Sequence, residues 1–377
     1  MDQVVVVGAG IAGVQTAVSL REAGYDGRLT IIGAEPHAPY DRPPLSKEVL
    51  LGKAEHSRLD VDFVALGVDL VLGRRIRALD DVAEADAVVL ATGAEPLTLP
   101  GQPASARLLR THDDALALRA VLRPGARVVI VGAGWIGAEA ASAAREAGCE
   151  VVVLEAASSP PAGEFTRCWF AEAGVDLRTG AAVSGFLPAG DGVVLTDGSG
   201  VRADVLLVGI GARPATAWLS GSDVPLDDRG AVAADDRLRA APGVWAVGDC
   251  ASFPSARYGR RLTVHHWDHA LASAKVVAAN VLGGDEVYDP VPYFWSEQFG
   301  RMVQSLGVAA PTDRRVARGN AGDAVWLRAD GTPTAALFVD RPRDLAQAKR
   351  LLAQGTPLDP ERVADPAVPL KQAVAAG

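Results

Sequence analysis

Residues 4–13 read VVVVGAGIAG and residues 128–137 read VVIVGAGWIG, so one strand-then-glycine pattern returns 124 positions later. The β-branched run predicts a buried strand. Gly8-x-Gly10-x-x-Gly13 then turns the chain into a helical run to about Ala23, and Gly132-x-Gly134-x-x-Gly137 does the same into 138–147. In such a turn the first glycine permits the tight reversal, the second lets backbone approach a pyrophosphate, and the third lets the helix lie against the strand. The free N–H groups and positive end of the helix then face phosphate.

Glycine is frequent here, 40 of 377 residues, and a lone match would carry little weight. The surroundings carry the argument. Each copy follows a hydrophobic strand, opens a helix, and leads to a second strand followed by an acid: LTII at 29–32 then Glu35, and VVVL at 151–154 then Glu155. Those carboxylates fall 22 and 18 residues past the last glycine, where a ribose diol is bound. Two dinucleotide sites explain this better than two tight turns in an ordinary α/β sheet.

A chain of 377 residues, 49% hydrophobic and 22% charged, has the length for two or three globular domains. A net charge of −9 argues against broad nucleic-acid or anionic-membrane binding. The three cysteines, Cys149, Cys168 and Cys250, form no C-x-x-C and no metal-ligand spacing, so redox chemistry must come from a bound cofactor. No targeting pattern and no membrane-length apolar run is evident, and a cytoplasmic location is expected.

Between the repeats, Pro43 and Pro44 predict an extended path and Ser46 a cap on a short helix. Arg42 and Lys47 follow the first site closely, as ligands for phosphate or a ring or as solvated charges. Strands are expected at 68–72 and at 86–93 (DAVVLATG), where Thr92-Gly93 again permits close approach to a ligand. Pro96, Pro100 and Pro103 mark a linker before a helix at 113–122. The second unit continues through strands at 192–196 and 203–209, and VWAVGD at 244–249 puts Asp249 at a strand's C-terminal end, the ligand side of an α/β sheet. A helix at 268–282 follows. The crowded His265, His266, Asp268 and His269 lack the H-E-x-x-H spacing of a zinc helix, and the intervening Trp267 suggests packing instead. Beyond 288 the composition turns aromatic, then alternating, with strands near 302–306, 325–327 and 335–339, a helix at 344–353 and a proline-rich tail, a small α+β domain.

The motifs together resemble the FAD-dependent, NADH-linked ferredoxin reductases of bacterial oxygenase systems, within the glutathione-reductase-like flavoproteins. The resemblance covers nearly the whole chain: both glycine turns with Glu35 and Glu139, YDRPPLSK at 40–47, Ala91-Thr92-Gly93, GIGARP at 209–214, AVGD at 246–249, His266-Trp267, WSEQ at 295–298 and RPRD at 341–344. YDRPPLSK and WSEQ are its most specific pieces.

The resemblance implies an α/β fold of two Rossmann-like domains plus a small C-terminal α+β domain. It places FAD on 1–110 and 240–288, NADH on 111–239, and the third domain at 289–377. Gly8, Gly10, Ile11, Ala12, Gly13 and Glu35 would hold the adenosine half of FAD. Arg42, Lys47, Ile76, Ala91, Thr92, Gly93, Gly248 and Asp249 would meet its phosphates, ribityl chain and flavin, with Lys47 near the redox edge. His266 and Trp267 would open a helix towards the flavin pyrimidine, and Trp295 would border the ring. Gly132, Gly134, Ile136 and Gly137 would cradle NADH, with Glu155 on its ribose, Glu139 on its nicotinamide amide, and Gly209 and Gly211 on its far side. No metal is implied.

The implied partner is a [2Fe–2S] ferredoxin of a P450 or Rieske oxygenase, served by a monomer or homodimer, with Arg257, Arg260 and Arg261 as a candidate steering cluster. Two other readings stay open on sequence alone. A flavoenzyme acting directly on a small molecule would use a reshaped nicotinamide pocket and His265 as acid or base; a nucleotide-sensing flavoprotein would bind a partner through its third domain. The chain departs from the family's pattern in shorter connections at 80–91 and 155–174, the second beside the NADH pocket, and in His265 where Glu is usual.

Overall fold

In the computed structural model, which describes residues 1–319 and 322–375, the first valine run becomes the Gln3–Val7 strand, each valine at most 4% exposed. It pairs in parallel with Arg28–Ile32 on one side and Ala87–Leu90 on the other. Val68–Val71 and Val244–Ala246 extend the sheet in the same sense, and Arg239–Ala241 closes it antiparallel. Strands buried on both faces read as continuous hydrophobic runs, the pattern of VVVV and AVVL. Because the parallel strands point one way, the Gly8 turn, Ala91 and Gly248 follow their C-terminal ends on one edge. The Ile11–Glu22 helix packs against the Trp267–Val281 helix. These elements form one unit, residues 1–41, 58–95 and 212–292.

The other unit comprises 42–57, 96–211 and the chain from 293. Its Arg127–Val131 strand lies between Val205–Val208 and Glu150–Glu155, with Asp176–Thr179 outside, all parallel. The 124-residue repeat extends beyond the glycines. Asp86 Oδ2 accepts the N–H groups of Asp2 at 2.6 Å and Gln3 at 2.9 Å, and Asp204 Oδ2 accepts that of Arg127 at 2.8 Å, so one acid fixes the start of each glycine strand. Arg21 and Arg145 likewise end their helices by donating to carbonyls, Arg21 to those of Leu66 and Gly67 and Arg145 to that of Ala173, just ahead of the Val68–Val71 and Asp176–Thr179 strands. Each arginine thereby ties its helix to the next strand of its sheet.

The C-terminal residues of this unit form a five-stranded antiparallel sheet in the order Tyr293–Gln298, Arg301–Gly307, Pro333–Val339, Ala324–Leu327 and Arg314–Ala317, with the Pro342–Gln354 helix against it. Among the strands that escape the sequence patterning, two show why. Tyr293–Gln298 carries an unbroken aromatic start in place of alternation, and Ala251–Ser255 contains Pro254 yet pairs with Arg260–Thr263. Parallel pairing on its other side stops at Ser252, so Pro254 lacks no ladder bond there.

His269 is buried beside this hairpin, stacked on Phe253 with ring centroids 5.4 Å apart. Its Nε2 lies 3.2 Å from the Gly248 carbonyl, which only accepts; Nε2 therefore carries the proton, and Nδ1 accepts from Tyr288 Oη at 2.7 Å. Burial pushes its pKa down from 6.5 to about 4. The unfolded chain thus binds a proton that the folded one refuses, and this contribution, present above pH 6.5, is lost as pH falls towards about 4, at a cost of about 3 kcal/mol. Urea midpoints between pH 7.5 and 5 should fall in the native chain and lose most of that slope in His269→Gln; an equal slope in both would refute the assignment.

Candidate dinucleotide sites

The three glycines of each turn are required for different reasons, and the structure separates them. Gly8 has φ +122°, and a Cβ there would lie 2.1 Å from the Ala91 carbonyl oxygen; a Cβ on Gly13 would lie 1.9 Å from that of Gly8. The chain's own backbone demands both. Gly10 is extended, at φ −77° and ψ −179°, and a Cβ on it would meet nothing within 4 Å. Neither conformation nor packing asks for glycine there, and the space lies before a 12-residue helix with no side-chain cap and no acid in its first turn. The second turn matches: a Cβ on Gly132 would be 2.4 Å from the Gly209 carbonyl oxygen and one on Gly137 2.0 Å from that of Gly132, while one on Gly134 meets nothing. Its helix, Trp135–Glu146, is equally uncapped. An open cradle facing unsatisfied amides fits the pyrophosphate of a dinucleotide in each unit.

Around the first turn, Glu35 accepts the Tyr40 hydroxyl at 2.6 Å, which fixes the acid at its strand end. Asp249 sits half-buried in the Gly248–Cys250 turn, and Gly248 packs so closely on Ala12 that an added Cβ would lie 3.0 Å from the alanine methyl. Ala91, Thr92 and Gly93 follow the central Ala87–Leu90 strand. His266 stands at the N-cap position of the Trp267–Val281 helix, and Trp267 Nε1 donates to Asp41 Oδ1 at 2.8 Å. His265 is exposed. Ile76 is buried in the hydrophobic cluster of Val5, Val7 and Leu90. Arg261, expected in a basic surface cluster with Arg257 and Arg260, is exposed and also donates to the carbonyls of Ala234 at 2.7 Å and Ser252 at 2.9 Å.

In the second unit both oxygens of Glu155 are held by backbone: Oε2 accepts from Ala133 N–H at 2.8 Å, within the glycine turn, and Oε1 from Ala157 N–H at 2.9 Å. The short 155–174 connection leaves this acid in place. It folds into the Glu164–Thr166 turn and the Arg167–Glu172 helix, with Phe165 and Trp169 packed against Val303 and Val339 of the C-terminal sheet. Ile136 is exposed at the start of the nucleotide helix, and the Gly211 carbonyl accepts from Leu97 N–H at 2.9 Å. Arg42 Nη1 donates to the Arg110 carbonyl at 2.6 Å.

Lys47 and Glu139 meet. The ammonium donates to Glu139 Oε2 at 2.8 Å, with the carboxylate only 4% exposed. Pro43 and Pro44, expected to be extended, open the Pro43–Ser46 3-10 turn, and Ser46, expected as a helix cap, ends that turn and gives its hydroxyl to the same oxygen, with turns and no α-helix at 47–52. Oε1 accepts from Ser296 Oγ at 2.7 Å and from Glu297 N–H at 3.3 Å. Trp295 stacks on Tyr293 at 5.9 Å. Sequence reasoning singled out Lys47, Glu139 and Trp295, gave Ser46 only a capping role and passed over Ser296, although SK and WSEQ both stood among the motifs. All three cysteines are free, Cys149 and Cys250 buried and Cys168 exposed.

The profile of the pyridine nucleotide-disulphide oxidoreductase family matches residues 2–274, and that of the reductase C-terminal domain matches 293–374. The chain is 38% identical to the ferredoxin reductase component of chlorobenzene dioxygenase from Cupriavidus sp. (strain PS12), over 96% of this chain and 95% of that one. It is 32% identical to putidaredoxin reductase of Pseudomonas putida, over 100% and 97%. Among solved structures, the covalent putidaredoxin reductase–putidaredoxin complex superposes with a TM-score of 0.92 at 31% identity, covering 98% of this chain and 97% of that one.

Proposed function

Since the chain belongs to the pyridine nucleotide-disulphide oxidoreductase family, and within it to the ferredoxin reductases of oxygenase systems, we propose that it passes electrons from NADH through FAD to a [2Fe–2S] ferredoxin serving a P450 or Rieske oxygenase. The observation that carries this reading is the pair of glycine turns, each with one glycine that only an outside group requires. FAD supplies the conversion between a hydride's two electrons and the single electrons an iron–sulfur protein takes.

In this reading the first unit binds FAD. Gly10 admits the pyrophosphate, Glu35, braced by Tyr40, holds the ribose, and Asp249 accepts the ribityl hydroxyls. The amides behind His266 and Trp267 favour negative charge on the ring. Gly134 and Glu155 bind NADH in the second unit. With both oxygens fixed by backbone amides, Glu155 accepts ribose hydroxyls and repels a 2′-phosphate, which selects NADH over NADPH. Lys47 and Glu139 orient the reacting rings, and Trp295 borders the flavin. With no C-x-x-C among Cys149, Cys168 and Cys250, this reading includes no dithiol relay. The division into an FAD domain at 1–110 and 240–288, an NAD domain at 111–239 and a third domain from 289, and a cytoplasmic location, belong to the same proposal.

The relatives' names include ferredoxin reductases, and one solved neighbour holds a putidaredoxin covalently. The test is steady-state reduction of cytochrome c with NADH. Rates should rise at least about tenfold when a [2Fe–2S] ferredoxin is added, because the ferredoxin carries the single electrons. Equal rates with and without several such ferredoxins would contradict it.

A further inference from the structure

Glu139 is a saturated carboxylate. An ionised carboxylate has about four acceptor positions, and here Ser46 Oγ and Lys47 Nζ occupy Oε2 while Ser296 Oγ and the Glu297 amide occupy Oε1. The donors come from the 42–57 segment and from the first strand of the C-terminal sheet, so one side chain on the nucleotide helix joins three stretches of chain. The hydroxyl of Ser296 is also aimed. Gln298 Nε2 donates to Ser296 Oγ at 3.2 Å, which leaves the single hydroxyl proton for Glu139, and both Ser296 and Gln298 are at most 1% exposed.

We propose that Ser296, aimed by Gln298, is a positioning residue for nicotinamide recognition: it holds the Glu139 carboxylate in the one orientation that serves both Lys47 and the dinucleotide. This rests on the reading of Glu139 as a nicotinamide contact. Saturation then has a chemical consequence. Any dinucleotide group that bonds to Glu139 displaces a protein donor, and the longest contact, the Glu297 amide at 3.3 Å, is the first to yield while Ser296 at 2.7 Å keeps the carboxylate from turning. The chemistry of the WSEQ motif follows: its serine donates, its third residue offers an exchangeable amide, and its glutamine sets the serine's direction.

The test compares NAD+ with ADP-ribose, which lacks the nicotinamide, by calorimetry on the flavin-loaded protein. Ser296→Ala should weaken NAD+ about tenfold, the factor carried by one hydrogen bond to a charged group, with ADP-ribose within about twofold of the native chain. Ser296→Thr, which keeps the hydroxyl, should restore NAD+ to within about threefold. If Ser296→Ala does not yield folded protein, Ser296→Cys, near-isosteric and a weaker donor, carries the same comparison. An unchanged ratio of the two affinities, or an equal loss of both ligands, overturns the proposal. Glu139→Gln separates the layers: if it lowers the ratio while the Ser296 variants do not, only the serine's role falls; if it leaves the ratio unchanged, the reading of Glu139 falls as well.

Discussion

Gly10→Val is expected to give a protein that folds and carries no flavin, whereas Gly13→Val is expected not to fold. The motif gives the two positions different tasks, and the structure shows what stands at each. A Cβ at Gly13 would stand 1.9 Å from the Gly8 carbonyl oxygen, backbone against backbone, with no flexible atom to give way. That overlap exceeds the about 1–3 kcal/mol of ordinary core overpacking and forces the helix off its strand. A Cβ at Gly10 meets no protein atom, and its φ of −77° suits any residue. What the added side chain occupies is the space before the helix amides. Losing two or more charge-assisted phosphate contacts should weaken FAD at least about a hundredfold. Far-UV circular dichroism and the flavin content of the purified protein read the two effects separately. Gly134→Val is the orthogonal control: it should keep its flavin and lose reduction by NADH. A flavin-replete Gly10→Val would remove the basis for a dinucleotide at the first turn.

Arg318→Leu should cost about 3–5 kcal/mol and release the C-terminal tail. The side chain is only 1% exposed. Its Nη1 donates to the carbonyls of Val363 at 2.8 Å and Asp365 at 2.7 Å, its Nη2 to that of Val368 at 2.7 Å, and its Nε faces Asp344 at 3.3 Å. Leucine strands three carbonyls and leaves Asp344 with the longer Arg341 contact at 3.4 Å. Arg318→Lys should recover little, since a point charge on a flexible stem does not reproduce the planar fork. Thermal unfolding and limited proteolysis would show the loss, with cleavage beginning within 360–375. Arg178→Ala is the control, because the Arg178–Asp176 pair is 41% and 51% exposed and worth at most about 1 kcal/mol. Matching melting curves for Arg318→Leu and Arg178→Ala would refute this role of Arg318 in holding the C-terminal tail.

Local, repeated features were legible in the sequence. A valine run, a spaced glycine triplet and an acid after the next strand each act within some 30 residues, and they made legible the central parallel strands of both sheets and the strand-end places of Glu35 and Glu155. Partnerships across the chain were hidden. Ser46 reads as a cap because caps are local, but its partner lies 93 residues away; Ser296 is 157 residues from the same carboxylate. Arg318 closes a basic run, RRVAR, that resembles solvated surface, and only the folded tail turns it inward. Arg261 lies at the surface as its cluster suggests, while its bonds to the Ala234 and Ser252 carbonyls have no local signal in the sequence. His265 and His269 were near neighbours in sequence, and the helix start separates them: one faces solvent, the other the core.

The most direct test of the account is an anaerobic titration of the purified protein with NADH, following absorbance near ~450 nm, where an oxidised bound flavin absorbs. The account predicts bleaching complete at about one equivalent of NADH, a two-electron donor matched to a two-electron acceptor, with NADPH much weaker because Glu155 opposes its 2′-phosphate. A yellow protein that NADH leaves unbleached would contradict it, since the second glycine turn would then hold no nicotinamide donor.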